Sequence, residues 1–255
     1  DGGATGGECP AGLTAVVPAS DGVRHANNTG VSELRRAIEV GVDHIVVASF
    51  DEFDRLDALH LEGVGPTPDI LLRITPGVEA HTHEFIATGQ DDSKFGFTVS
   101  TGLAQQAAAR AMAADAFDLV GIHAHIGSQV FRIDSFEKAA TLVAAFARPP
   151  GMPALSLGGG LGVPYVEGET APTITQWGEA ITAACATVGL DARVTAEPGR
   201  AIAAAAAVTL YRVGTIKELE GLRTYVAVDG GMSDNPRPVL YGSGYETFLP
   251  RLGSA

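Results

Sequence analysis

The sequence predicts an α/β protein built on a parallel sheet, with a mainly β unit beginning near its C-terminal end. Two observations carry this. Short apolar runs alternate with helical stretches as far as Arg200, and alternation of that kind makes a parallel sheet, either open and doubly wound or closed as a barrel. After Arg200 the alternation stops, and two strand-like runs follow with no helix between them.

The apolar runs lie near Val23–His25, His44–Ala48, Ile70–Ile74, Leu119–His125, Ala154–Leu157 and Arg193–Ala196. They are short, unalternated and often β-branched, as strands buried on both faces should be. The first helix is expected over Val31–Val40, after a Thr-Gly-Val-Ser start. The second, Asp51–His60, opens with acids, which suit the positive end of a helix. Thr101–Ala116, Asp134–Ala147 and Thr173–Val188 carry apolar residues at helical spacing, some with Ser or Thr ready to cap. Ala203–Val213 and Leu222–Val228 read as strands of the second unit, which looks unfinished because a lone strand pair is not independently stable. No internal repeat is present, and the alanine-rich pieces read as helix and core filler.

Composition narrows the function. The 255 residues fit one large domain or two small ones, with core enough to need no disulfide or metal staple. A net charge of −13 argues against nucleic acid and anionic membranes as partners. Cys9 and Cys185 are too few for a disulfide framework and lack metal-ligand spacing, so a reducing, cytoplasmic setting fits. No apolar run approaches the roughly 18 residues of a membrane span, and no signal peptide leads the chain. A start at Asp1 and an end on Gly-Ser-Ala suggest part of a longer protein.

The chemistry-bearing residues gather where strands are expected to end. Gly158-Gly159-Gly160 lets backbone amides approach an anion, but the dinucleotide fingerprint fails at Val163 and no helix opens there. A tight turn is the plain alternative. Ala196-Glu197-Pro198-Gly199-Arg200 ends the next run. There a carboxylate could accept from a cationic ring nitrogen and a guanidinium could fork onto phosphate or carboxylate, unless the two form a simple surface pair. Two anion-binding loops on consecutive strands suit the phosphate site of an α/β barrel. His123-Ala124-His125 and His81-Thr82-His83 could bind metal, but no histidine follows His125, as a zinc barrel hydrolase would require; packing or stacking is the alternative. Arg237 and Tyr241 stand out in a stretch, Asp229–Tyr241, dense enough in turn formers to be a surface loop.

Taken together, these stretches closely resemble the diaminopimelate decarboxylases, of the alanine-racemase-like, fold-type III class of pyridoxal phosphate (PLP) enzymes. The matching pieces are Gly77–Gly96, His123–Val130, Leu157–Tyr165, Ala196–Ile202 and Val228–Tyr241, in the family's order. The resemblance implies a (β/α)₈ TIM-like barrel over residues 1–202, lacking strand one, and the start of a β-domain over 203–255. It implies PLP as cofactor, meso-2,6-diaminopimelate as substrate, L-lysine as product, no metal, and a head-to-tail homodimer with shared active sites. His125 should stack on the cofactor ring. Gly159, Gly160, Gly199 and Arg200, with Ser128, should hold the cofactor, and Glu197 should pair with its pyridine nitrogen. Arg200, Arg237 and Tyr241 should grip substrate carboxylates.

The same resemblance places the Schiff-base lysine upstream of Asp1, since Lys94, Lys138 and Lys217 lie outside its motif. It places a Cys-Glu-Ser-Gly-Asp motif after Ala255, and reads Asp1–Glu8 as the end of barrel strand two. The piece by itself is therefore expected to be inactive. Thr29 stands where the family commonly has Lys. Related decarboxylases of ornithine, arginine or carboxynorspermidine, and a non-catalytic PLP-binding protein, are the alternatives.

Overall fold

The computed structural model describes residues 18–78 and 88–249. Asp1–Glu8, Cys9, His81 and His83 lie outside the described residues. Seven parallel strands make the main sheet: β1 (Val23–His25), β2 (His44–Val47), β3 (Asp69–Thr75), β4 (Phe97–Thr98), β5 (Asp118–His123), β6 (Ala154–Ser156) and β7 (Arg193–Thr195). Their order is β1-β2-β3-β5-β6-β7, with β4 paired to the end of β3, Ile74 opposite Phe97. Apart from β4, chain order and sheet order agree. A doubly wound sheet would reverse at a switch point, so the open-sheet alternative falls and the curled, TIM-barrel-like arc stands.

The helices that cross between strands are α1 (Val31–Val40), α2 (Phe50–Leu61), α3 (Leu103–Met112), α4 (Ile133–Ala147) and α5 (Ile174–Thr187). Each buries one stripe. In α2 it is Phe53, Leu56 and Leu59; in α4 it is Phe136, Ala140, Val143, Ala144 and Ala147. Spacing of three and four residues puts these side chains on one face. Phe53 stacks on Phe117 at 5.2 Å and on Phe97 at 5.9 Å. Burial of one such ring stabilises the fold by roughly 1.5–3 kcal/mol. Phe136 meets Trp177 edge-on at 5.6 Å, which joins α4 to α5.

Glu52 locks the start of α2. The helix is capped by Ser49, whose side chain accepts from the Glu52 N–H. The Glu52 carboxylate is 1 % exposed and accepts from Thr29 N–H at 2.9 Å and Ala48 N–H at 2.7 Å. One buried carboxylate thus ties the loop after β1 to the loop after β2.

Several boundaries differ from expectation. Helix α3 is shorter than Thr101–Ala116: Gly102 caps it in the left-handed region, and Phe117 must turn inward to be buried. No strand spans Ala203–Val213. Residues Arg200–Ala203 form the short helix α6, and a 3-10 turn follows over Ala204–Ala206. An alanine run prefers helix. The strand begins only at Val213, where β8 (Val213–Leu219) pairs antiparallel with β9 (Arg223–Val228). This second sheet starts a further domain. The stretch read as a surface loop contains α7 (Arg237–Tyr241), opened by Pro236 and closed by Gly242 at φ 61°. Among the described residues, no helix is long and apolar enough to cross a membrane.

Candidate active site

A polar row crosses the C-terminal end of the sheet. Arg73 of β3 is the register partner of His123 of β5, His123 of Ser156 of β6, and Ser156 of Thr195 of β7. Partners in a parallel ladder present their side chains to the same face. The three loops that follow β5, β6 and β7 close over this row.

They are held in close contact. His125 Nδ1 accepts from Gly159 N–H at 3.1 Å, and the Glu197 N–H donates to the Gly158 carbonyl at 2.6 Å. The glycines are required by space. A Cβ on Gly159 would lie 1.9 Å from the Glu197 carbonyl oxygen, and one on Gly160 would lie 1.9 Å from the Gly127 carbonyl oxygen. Gly160 also has φ +99°, a conformation that side chains rarely adopt. Gln129 fastens the loop from the side: its amide donates to the Val163 carbonyl and accepts from the Val163 N–H, both at 3.0 Å. Gln129 itself sits at φ 55°, the one non-glycine residue with positive φ among those described.

Glu197 reaches from the end of β7 onto buried polar groups. His123 Nε2 lies 3.1 Å from Glu197 Oε1, and the Ser156 hydroxyl donates to the same oxygen at 2.9 Å. The His123 side chain is fully buried and that of Glu197 is 44 % exposed. Burial works to raise the Glu197 carboxyl. The bond and charge of His123 and the bond from Ser156 outweigh it and hold the group at about 2. Glu197 is therefore ionised at neutral pH. Among the described residues both grips fall on Oε1, so Oε2 is left for another donor.

Behind Glu197 lie His25 and Arg73. The Arg73 guanidinium is 2.9 Å from His25 Nε2 and packs over the Phe95 ring at 4.5 Å. Burial lowers Arg73 to about 10, against the pull of Glu197 and Glu52, so it remains a cation at neutral pH. Burial, then His123 and Arg73, push His25 well below the usual imidazole range. Burial, then Arg73 and His123, lower His125 to about 4. Both rings are neutral at pH 7.

Sequence reasoning singled out His125, Gly159, Gly160, Glu197, Gly199 and Arg200, and the structure gathers them at the ends of β5, β6 and β7. Gly199 precedes α6 at φ 44°, and Arg200 opens that helix with its Nη1 buried and without a hydrogen-bond partner. Ser128 is half-buried in the loop after β5. Arg237 and Tyr241 both lie on α7, where the guanidinium lies 5.2 Å from the phenol ring centroid, and Arg237 Nε is buried without a partner. Sequence reasoning missed His25, Arg73 and Ser156, and left His123 as a core residue. The available signal was a polar residue closing or nearly closing each apolar run.

The residues suit a pyridine-type cofactor bearing a phosphate. The glycine loop exposes backbone with no room for side chains, Glu197 offers an ionised oxygen, and His125 is a neutral ring beside the loop. His25, His123 and Glu197 also place one ligand atom each within 4.8 Å of one another. Those groups are engaged, however: His25 by Arg73, and His123 by Glu197.

Residues 3–204 match the family profile "Pyridoxal-dependent decarboxylase, pyridoxal binding domain". The chain is 44% identical over 264 residues to diaminopimelate decarboxylase of Mycobacterium tuberculosis H37Rv, covering 96% of this chain and 59% of that protein. It is 41% identical over 267 residues to the Bacillus subtilis enzyme of that name, covering 98% and 60%. The chain thus spans a little over half the length of these relatives. The solved M. jannaschii diaminopimelate decarboxylase with L-lysine superposes with a TM-score of 0.81 at 31% identity, over 90% of this chain and 54% of that one. The Helicobacter pylori enzyme with L-lysine gives 0.77 at 29%, over 85% and 54%.

Proposed function

The chain belongs to the pyridoxal-dependent decarboxylases, and on that premise we propose that the whole protein removes CO₂ from meso-2,6-diaminopimelate to give L-lysine. The observation that carries this reading is Glu197: an ionised carboxylate, fixed through one oxygen by His123 and Ser156, at the mouth of a glycine loop. PLP, when bound, supplies the electron sink for the carbanion left by decarboxylation.

The chain's own residues set the conditions for that chemistry. Glu197 holds a proton at the pyridine nitrogen, which strengthens electron withdrawal. Neutral His125 would pack against the ring when the cofactor is bound, since an imidazolium there would oppose a positively charged ring. Gly159 and Gly160, with Gly199, Arg200 and Ser128, hold the phosphate. Arg200, Arg237 and Tyr241 bind the substrate carboxylates, and the two arginines with an unpaired buried N–H support that assignment. A substrate with a second, remote carboxylate is what such a set selects. In this reading residues 1–202 are the barrel and 203–255 the start of the β-domain, and the protein works in the cytoplasm as a homodimer with shared sites.

The test is Glu197→Gln in the full-length protein. The amide keeps a hydrogen bond to the ring but loses the charge that holds its proton. A charged hydrogen bond contributes roughly 1.5–3 kcal/mol against about 1 for a neutral one, and about 1.4 kcal/mol is tenfold in rate. Turnover should fall about tenfold or more while much of the cofactor stays bound. Unchanged turnover at full occupancy would overturn the role, and preference for ornithine or arginine over diaminopimelate would overturn the substrate.

A further inference from the structure

The polar groups behind Glu197 form a directed chain. Arg73 can only donate, so His25 Nε2 accepts its hydrogen bond and the His25 proton sits on Nδ1. The His25 ring meets His123 edge-on, with centroids 4.5 Å apart and planes at 71°. Ionised Glu197 can only accept, so His123 Nε2 carries the proton of the bond to Oε1. His123 Nδ1 is buried and without a hydrogen-bond partner. The hydrogen bond that the ring makes is therefore the one from its Nε2–H to Glu197. His123 is 0 % exposed and Arg73 is 4 % exposed, so solvent takes no part.

We propose that His123 is a positioning residue for the cofactor: by occupying Oε1 of Glu197 it turns Oε2 toward the pyridine nitrogen, and the His25 ring, held by Arg73, packs edge-on against the imidazole and keeps it in place. This rests on the reading of Glu197 as partner of the ring nitrogen. A purely structural His123 would only fill space between β5 and β7.

Three variants of the full-length protein, reloaded with PLP labelled with ¹⁵N in the ring, separate these roles. His123→Phe keeps a ring of similar shape and removes the donor. His123→Gln can place an amide N–H near the Nε2 position, and His123→Asn has the same amide on a shorter reach. The readouts are cofactor affinity by equilibrium dialysis and the pH at which the ¹⁵N signal shows loss of the ring proton. His123→Phe should weaken affinity about tenfold and lose the ring proton at a pH lower by about one or more. His123→Gln should stay within about threefold of the parent, and His123→Asn should behave like Phe. If Phe fails to fold, the contrast between Gln and Asn carries the test. Equal affinity and an unmoved ¹⁵N signal in Phe, or identical behaviour of Gln and Asn, would overturn the proposal. Glu197→Gln serves as the control. If it moves the ¹⁵N signal and His123→Phe does not, this inference alone fails; if it leaves the signal unmoved, the reading of Glu197 fails.

Discussion

The neutral histidines at the site make the cofactor-free protein sensitive to mild acid. His125 is held near 4, whereas an exposed imidazole titrates near 6.5. A histidine lowered by folding contributes stability that is complete above its unfolded value and is lost as pH falls from 6.5 toward 4. At pH 5 the unfolded ring is almost fully protonated and the folded one almost fully neutral. With 1.36 kcal/mol for each tenfold change in protonation, His125 alone should cost about 2 kcal/mol on going from pH 8 to pH 5. His25 is shifted in the same direction and adds to this loss. Urea unfolding at the two pH values measures the total, and imidazole NMR signals followed through the titration assign it. In His125→Gln the acid-induced loss should shrink by about 2 kcal/mol. A His125 signal that titrates near 6.5, or an acid loss unchanged in His125→Gln, would refute the burial argument.

Two further outcomes follow from single contacts. Gly159→Ala puts a methyl group 1.9 Å from the Glu197 carbonyl oxygen, so the loops after β6 and β7 must part. It should destabilise by about 1–3 kcal/mol and weaken PLP binding more than tenfold, by thermal melt and dialysis; parental binding would show the loops to be pliant. Glu52→Gln replaces one of two buried acceptors with a donor facing an N–H, from Thr29 or Ala48. It should cost about 1–3 kcal/mol in urea unfolding, without change in the ring-nitrogen signal.

Much of this was legible in the sequence because the barrel repeats one physical pattern. Helix α1 matches its expected span, Val31–Val40, since Gly30 and Gly41 bracket a single amphipathic stripe. The glycine loop and Glu197 were legible because glycine triplets and a carboxylate before Pro-Gly are rare ends to an apolar run. What was hidden depended on pairing. Phe97–Thr98 is too short for any periodicity and exists as a strand only through its bonds to β3. Ala203–Val213 misled because apolar alanines count toward a strand pattern while favouring helix. Ser156 and Arg73 look like ordinary interruptions of their runs. Their joint meaning rests on register, which places Arg73, His123 and Ser156 side by side although 83 positions separate the first from the last. Roles for Arg237 and Tyr241 came from resemblance, and the structure places that pair together on α7.

The bonds that build the site join residues 34, 41 and 74 positions apart. Such distant partners meet only after the loop-closure entropy of the intervening chain has been overcome, whereas helices α4 and α5 can form within microseconds. A refolding chain thus regains helicity before it has anywhere to put a cofactor. During synthesis at about 5–20 residues per second, His123 precedes Glu197 out of the ribosome by about 4–15 seconds. Through that interval the nascent sheet carries the Arg73 cation with Glu52 already made but Glu197 still to come.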